Sequence, residues 1–289
     1  MPATDIRFEA NGLSLAGRLY RPVGAGPHPV IVLSHGFSVL RAMGLDDYCA
    51  RFEAAGFACL AYDHRNFGES DGLPRHEIDP WQQVADTRDA ISFVRSVPGL
   101  DPERVGLWGT SFSGGHALVV AALDRRVKCV VSQVPLVAGF DTLNSWVGPG
   151  NLPTLTRRFN EDRDGRYCGA APRTTRPARP GDQTWTWVTK IGAETLYPNE
   201  ITQRSLENLA GYEPGSFIAR VSPTPLLMIL ATQDTQTPYA GQRAAYDRAG
   251  APKQLLALDC GHYDPYTSHF DESAQAAVAW FQAHLVPAP

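Results

Sequence analysis

The chain is 289 residues long, 43% hydrophobic and 19% charged, with a formal net charge of −4. That balance excludes the basic footprint of a nucleic-acid or anionic-membrane partner. The length and apolar content suit one large domain, or one domain with an insert.

Residues 6–10 and 13–21 flank Asn11-Gly12, a pair whose tolerance of positive φ makes it a strong hairpin signal. Residues 29–34 form an unbroken apolar run, as expected of a strand buried on both faces. Residues 45–55 read as a helix closed by Gly56, and 58–62 as the next strand. Trp81, Val84, Ile91 and Val94 share one helical stripe, with Gln83, Asp86 and Asp89 outside it, and this helix is expected to end before Pro98-Gly99. Strands are predicted at 105–108, 127–132, 225–231 and 253–258. A last helix presents Ala274, Ala277, Val278, Phe281 and Leu285, with Asp271 as its N-cap. Strands alternating with helices predict an α/β fold, a mostly parallel sheet covered on both faces.

Between Leu136 and Ser222 that alternation stops. The stretch carries Trp146, Trp185, Trp187, Tyr197, Tyr212 and Phe217, and an arginine- and proline-rich loop at 173–181. An irregular stretch of this length within a domain is usually a functional lid, and its aromatic content argues against a disordered linker. The expected organisation is a core of residues 1–135 and 223–289 with a lid insertion at 136–222. Trp146, Trp185, Trp187 and Tyr263 are the candidate substrate-binding residues.

The sharpest motif is Gly109-Thr110-Ser111-Phe112-Ser113. It falls between a strand and a helix, which puts a serine at the tip of a tight turn. Thr110 and Ser113 lie off the tip. The pattern expects glycine at its fifth position, where this chain has Ser113 with Gly114 and Gly115 behind it. A serine hydroxyl is a poor nucleophile without a base, and the base needs an orienting acid. Asp234 follows the strand at 225–231. It would read as a turn residue if alone, but its order in the chain favours the acid, and Gln133 at the preceding strand end cannot carry the charge. His262 follows the last strand and is the base candidate. His269 is the alternative, and His116 is expected to pack near the turn. For a developing oxyanion, the backbone N–H groups of Phe37, after Ser34-His35-Gly36, and of Phe112 are the expected donors. His35 is expected to hold its turn by hydrogen bonds. The loop at 63–70 reads as structural, braced by Arg65.

No metal, nucleotide or dinucleotide motif occurs, so neither a metal nor a cofactor is expected. Five scattered cysteines (Cys49, Cys59, Cys129, Cys168, Cys260) contain no C-x-x-C pair. This fits a reducing compartment. The start of the sequence lacks signal-peptide character, and no apolar run reaches membrane-spanning length. A cytoplasmic location is the expectation.

These residues resemble the α/β-hydrolase superfamily across the whole chain. Within it, Phe112 and Gly114 after the serine are similar to the dienelactone-hydrolase-like branch and its X-prolyl peptidase and cocaine-esterase-like relatives. The stretches 108–116 and 222–228 also resemble hydrolases and transferases of polyketide pathways. The resemblance implies an eight-stranded, mostly parallel sheet with helices on both faces. It also implies a cofactor-free serine hydrolase acting on a small-molecule ester or thioester. An acyltransferase of secondary metabolism using the same acyl-enzyme is the second reading, and a non-catalytic ligand-binding homologue the third. Serine rather than aspartate at the turn disfavours epoxide hydrolase or dehalogenase chemistry. Oligomeric state, including a homodimer, stays open.

Overall fold

Asn11 and Gly12 adopt φ of 49° and 77° and close the hairpin expected at this turn. In the computed structural model, which describes residues 3–148 and 150–286, β1 (Thr4–Ala10) pairs antiparallel with β2 (Leu13–Tyr20). Next come β3 (His28–Ser34), α1 (Leu45–Ala54), β4 (Ala58–Tyr62), α2 (Pro80–Ser96), β5 (Leu100–Thr110), α3 (Phe112–Leu123) and β6 (Val127–Gln133). A helical segment follows, containing α4 (Gly139–Val147), α5 (Leu152–Tyr167), α6 (Gln183–Ile191) and α7 (Gln203–Ala210). Two-residue strands β7 (Thr174–Thr175) and β8 (Ile201–Thr202) pair within it, and a 3-10 turn at Pro214–Arg220 ends it. The chain then returns to the main sheet through β9 (Leu226–Ala231), α8 (Tyr239–Arg248), β10 (Lys253–Leu258) and α9 (Phe270–Leu285).

The main sheet has eight strands in the order β1-β2-β4-β3-β5-β6-β9-β10. β2 runs antiparallel to both neighbours, and every pairing from β4 to β10 is parallel. β4 and β9 are buried along their whole length, as apolar runs covered by helices on both faces must be. On one face, Phe52 of α1 and Phe281 of α9 meet edge to face, with ring centroids 5.5 Å apart, over Trp108 and Ile31. On the other, Ile91 and Val94 of α2 and Val119 and Val120 of α3 cover Val30, Val32 and Leu107.

Two helix faces differ from expectation. In α2, Trp81 is 48% exposed, whereas Gln83 and Asp86 are buried. Distant partners satisfy both polar groups: Arg65 Nε donates to Asp86 Oδ2 at 2.6 Å, and Gln83 Oε1 lies 3.0 Å from His116 Nε2. Pairing of this kind removes most of the burial penalty. In α9, the N-cap position belongs to His269, with no side-chain cap. Asp271 sits in the first turn and pairs with Arg51. Val278 is half-buried, and Trp280 takes a core position instead.

Candidate active site

A single residue, Ser111, joins β5 to α3, and it sits at φ 55°, ψ −120°. A side chain in this region of backbone space costs on the order of 1–3 kcal/mol and persists only where its surroundings enforce it. Here the enforcement is visible. The Ser111 N–H donates to the Gln133 carbonyl at 2.8 Å, and the Ser111 carbonyl accepts from Gly114 and Leu136, each at 2.9 Å. The strand and helix close so tightly that a Cβ on Gly109 would lie 2.1 Å from the Ser113 carbonyl oxygen. The crowding behind the turn falls on Gly114, where a Cβ would come within 2.9 Å of Pro135. Ser113 can therefore stand at the fifth position. It is fully buried, and its hydroxyl shares a 2.9 Å hydrogen bond with His64 Nε2.

Asp234 lies just beyond the carboxyl end of β9, and His262 just beyond that of β10. His262 Nδ1 donates to Asp234 Oδ2 at 2.7 Å, which leaves Nε2 to accept from the Ser111 hydroxyl at 3.0 Å. Both side chains are buried. Asp234 Oδ1 takes the amides of Gln236 and Thr237, and Oδ2 also takes the Thr237 hydroxyl and the Gln242 amide. Burial pushes this carboxyl up, but the His262 charge and the hydrogen bonds from His262 and Thr237 outweigh it and hold the carboxyl below its ordinary value. Of the other histidines, His269 bonds to Ser268 at the start of α9. His116 is buried between Tyr212 and Gln83, and burial pushes its pKa down to about 3.

The turn carrying Phe37 runs against Ser111: a Cβ on Gly36 would be 3.3 Å from Ser111 Cβ. His35 Nε2 accepts the His64 N–H at 3.1 Å, so the proton sits on Nδ1, which donates to the Gly36 carbonyl at 3.0 Å. A trans peptide points its C=O and N–H in opposite directions. Holding the Gly36 oxygen on His35 therefore turns the Phe37 N–H away from His35. Among the described residues, neither the Phe37 nor the Phe112 amide donates to another part of the chain.

Ser111 and His262 open into a cavity of about 710 Å³, walled by Phe37, Trp146, Trp187 and Tyr263. Trp187 stacks on Tyr263 with centroids 5.2 Å apart, and Phe37 meets Trp146 edge-on at 5.5 Å. Trp146 is pinned by its indole N–H, which donates to the Gln236 carbonyl at 2.8 Å. Trp185 does not line the cavity. On α6 the lining residues are Thr184, Trp187 and Val188, at three- and four-residue spacing, and Trp185 falls outside that stripe. Thr237 and Gln242, which complete the Asp234 cradle, escape a reading that looks for acid and base alone. The Asp-x-x-Thr spacing of an Asx turn is the local signal for Thr237, and Gln242 has none. Among the described residues, no group of three or more His, Cys, Asp and Glu side chains gathers as a metal site, and no helix is long and apolar enough to cross a membrane.

Sheet order, crossover helices and the strained serine turn together define an α/β-hydrolase fold. The solved structure of the α/β hydrolase GrgF from Penicillium sp. sh18 matches over 99% of this chain and 100% of that one, with a TM-score of 0.88 and 25% identity. The model of the X-Pro dipeptidyl-peptidase (S15 family) matches residues 11–264, and the chain belongs to that family. Among curated relatives, the quorum-quenching protein AidA of Acinetobacter baumannii (strain MDR-ZJ06) is 33% identical, covering 81% of this chain and 79% of its own. The thiohydrolase aneE of Aspergillus aculeatus is 30% identical, covering 87% and 83%. The polyketide transferase claH of Penicillium crustosum is 32% identical, covering 91% of each. The chain is thus a hydrolase-type α/β protein whose relatives include thiohydrolases and transferases.

Proposed function

We propose that this protein is a serine-dependent acyl hydrolase that cleaves a carboxylic ester or thioester, with a thioester favoured, through an acyl-enzyme on Ser111. The observation that carries the proposal is the hydrogen-bonded chain from the Ser111 hydroxyl through His262 to the buried Asp234. In this reading His262 Nε2 takes the hydroxyl proton as Ser111 Oγ bonds to the acyl carbon. The carbonyl oxygen becomes an oxyanion facing the Phe37 and Phe112 amides. Collapse breaks the bond to the leaving group, which departs with the proton returned by His262. Water, deprotonated by His262, then repeats the sequence and frees the acid. Asp234 keeps the imidazole in the tautomer that leaves Nε2 as acceptor. The thiohydrolases among the relatives support a thioester substrate.

The segment 136–222 acts as the lid on a core of 1–135 and 223–289, because its residues Trp146 and Trp187 wall the cavity above Ser111. The partner is a small acyl molecule, and the working location is the cytoplasm. A second reading, transfer of the acyl group to an alcohol or amine, draws on the named polyketide transferase and acyltransferase relatives. It predicts transfer products that increase with added acceptor.

Exposure to a fluorophosphonate followed by intact-mass measurement tests the proposal. One adduct is expected on the unmodified chain and none on Ser111→Ala, whose kcat/KM for thioesters should fall by about 10³-fold or more. Labelling that survives the substitution removes Ser111 from the mechanism.

A further inference from the structure

Twenty-three arginines and three lysines carry the positive charge of this acidic chain. Among the described residues, nineteen of those arginines engage a carboxylate, a backbone carbonyl or an aromatic ring. The other four are Arg157, Arg158, Arg176 and Arg179, and three of these, Arg158, Arg176 and Arg179, line the cavity above Ser111. Arg158 projects from α5, and Arg176 and Arg179 belong to the loop between β7 and α6. All three are exposed.

Among the described residues the cavity has one lining carboxylate, Asp182, against three lining arginines. Asp182 caps α6 by accepting the Trp185 amide, and it also takes the Arg179 amide at 2.8 Å. Like charges gathered at one opening repel one another, and low-dielectric walls such as Trp146 and Trp187 concentrate the resulting field. An anion entering the cavity relieves that repulsion. The guanidinium fork matches the planar oxygens of a carboxylate or phosphate.

Building on the acyl-substrate reading, we infer that Arg158, Arg176 and Arg179 bind a negatively charged group, a carboxylate or phosphate, that the substrate carries away from its reacting carbonyl. The charge sits either on the acyl half or on the thiol half.

The test separates binding from turnover by using Ser111→Ala, titrated calorimetrically with three thioesters. Butyryl-N-acetylcysteamine is neutral. Glutaryl-N-acetylcysteamine carries a carboxylate on the acyl half, and butyryl-phosphopantetheine a phosphate on the thiol half. One charged probe is expected to bind about tenfold more tightly than the neutral one, and which one gains identifies the half that carries the charge. The advantage should shrink to within about twofold in 0.5 M NaCl. It should shrink likewise when Arg158→Gln, Arg176→Gln and Arg179→Gln are combined, and persist in Arg157→Gln, the neighbour outside the cavity. The inference is overturned if neither charged probe binds more tightly than the neutral one, or if the advantage survives both the salt and the triple substitution. Turnover of the three thioesters by the unmodified chain is scored separately. A charge preference in binding without turnover sinks the hydrolase reading and leaves the anion site standing, whereas turnover without preference does the reverse.

Discussion

The two sides of Ser111 are built on opposite terms. Beneath it, His35, His64, His116, Ser113 and Gln83 are all at most 2% exposed, and hydrogen bonds among them tie together four chain segments. Above it, the cavity is walled by Trp146 and Trp187 of the segment 136–222 together with Phe37 and Tyr263, and is fringed by exposed arginines that have no partner among the described residues. The lower side holds one geometry, because His35 holds the Gly36 carbonyl and the His64 amide, His64 holds Ser113 behind the serine, and His116 ties α3 to Gln83 of α2. The upper side can vary in shape and charge without moving the serine. Changes below should therefore affect every substrate alike through kcat, and changes above should reorder substrates.

Among changes that leave Ser111 in place, the largest effect is expected at Asp234→Asn. The amide cannot stabilise a protonated His262, and its NH2 would favour the wrong imidazole tautomer, so kcat should drop by about 10⁴-fold for every acyl group. A loss confined to some substrates would break the division between the two sides. His35 should come next. It touches no reacting atom but positions the Gly36–Phe37 peptide, and misaligning one oxyanion donor costs about 10²–10³ in rate. His35→Phe is expected to lower kcat by that amount with KM little changed. His35→Asn, whose amide can reproduce the Nδ1–H bond to Gly36, should recover most of it. Equal losses in both variants would mean that His35 only fills space.

How much of this was legible in the sequence follows from how local each signal is. The sheet was readable because β3, β4 and β9 carry continuous apolar runs bounded by turns, and β6 is interrupted before its apolar stretch only by Lys128. Ser111, Asp234 and His262 were readable because each stands just past a strand end, in an order the chain preserves. The buried face of α2 was not, since Gln83 and Asp86 are satisfied by His116 and Arg65, partners that only the fold brings near. Trp185 and Trp187 were indistinguishable while 183–191 was an unassigned stretch, because only a helix gives neighbouring residues different faces. The helix α5 hid for a related reason. Leu155, Phe159 and Asp162 are its buried stripe, and the rest of it is polar and charged. Ser113 looked like a departure from pattern, and no local feature linked it to His64.

The buried histidines also set a pH window. Burial lowers the pKa of His35, His64 and His116, the last from 6.5 to about 3. Between those two values the unfolded chain binds protons that the folded chain does not, so stability rises with pH. On acidification, stability should begin to fall near pH 6.5, by on the order of a few kcal/mol at pH 4. Asp234 acts in a lower window. Its folded pKa lies below 3.8, so its contribution is complete above that value and is lost as pH falls through the folded pKa. Urea midpoints measured from pH 7 to pH 4 should decline, and His116→Gln should flatten part of the slope. A flat profile in the unmodified chain would mean that these rings are not buried neutral.

The smallest effect is expected on the upper side, at Trp187. Its ring is 8% exposed and stacked on Tyr263, and it forms one wall of the cavity. An apolar contact in a pocket discriminates substrates by about 1–3 kcal/mol at most, so Trp187→Ala should cost about tenfold in kcat/KM for bulky acyl groups. Acetyl-sized substrates, which do not reach the wall, should change less, and fluorophosphonate labelling of Ser111 should stay within about twofold. That contrast is the sharpest test of the division. A Trp187→Ala chain that labels as slowly as it turns over would show that the wall also holds the serine, and the two sides of the site would then be one unit.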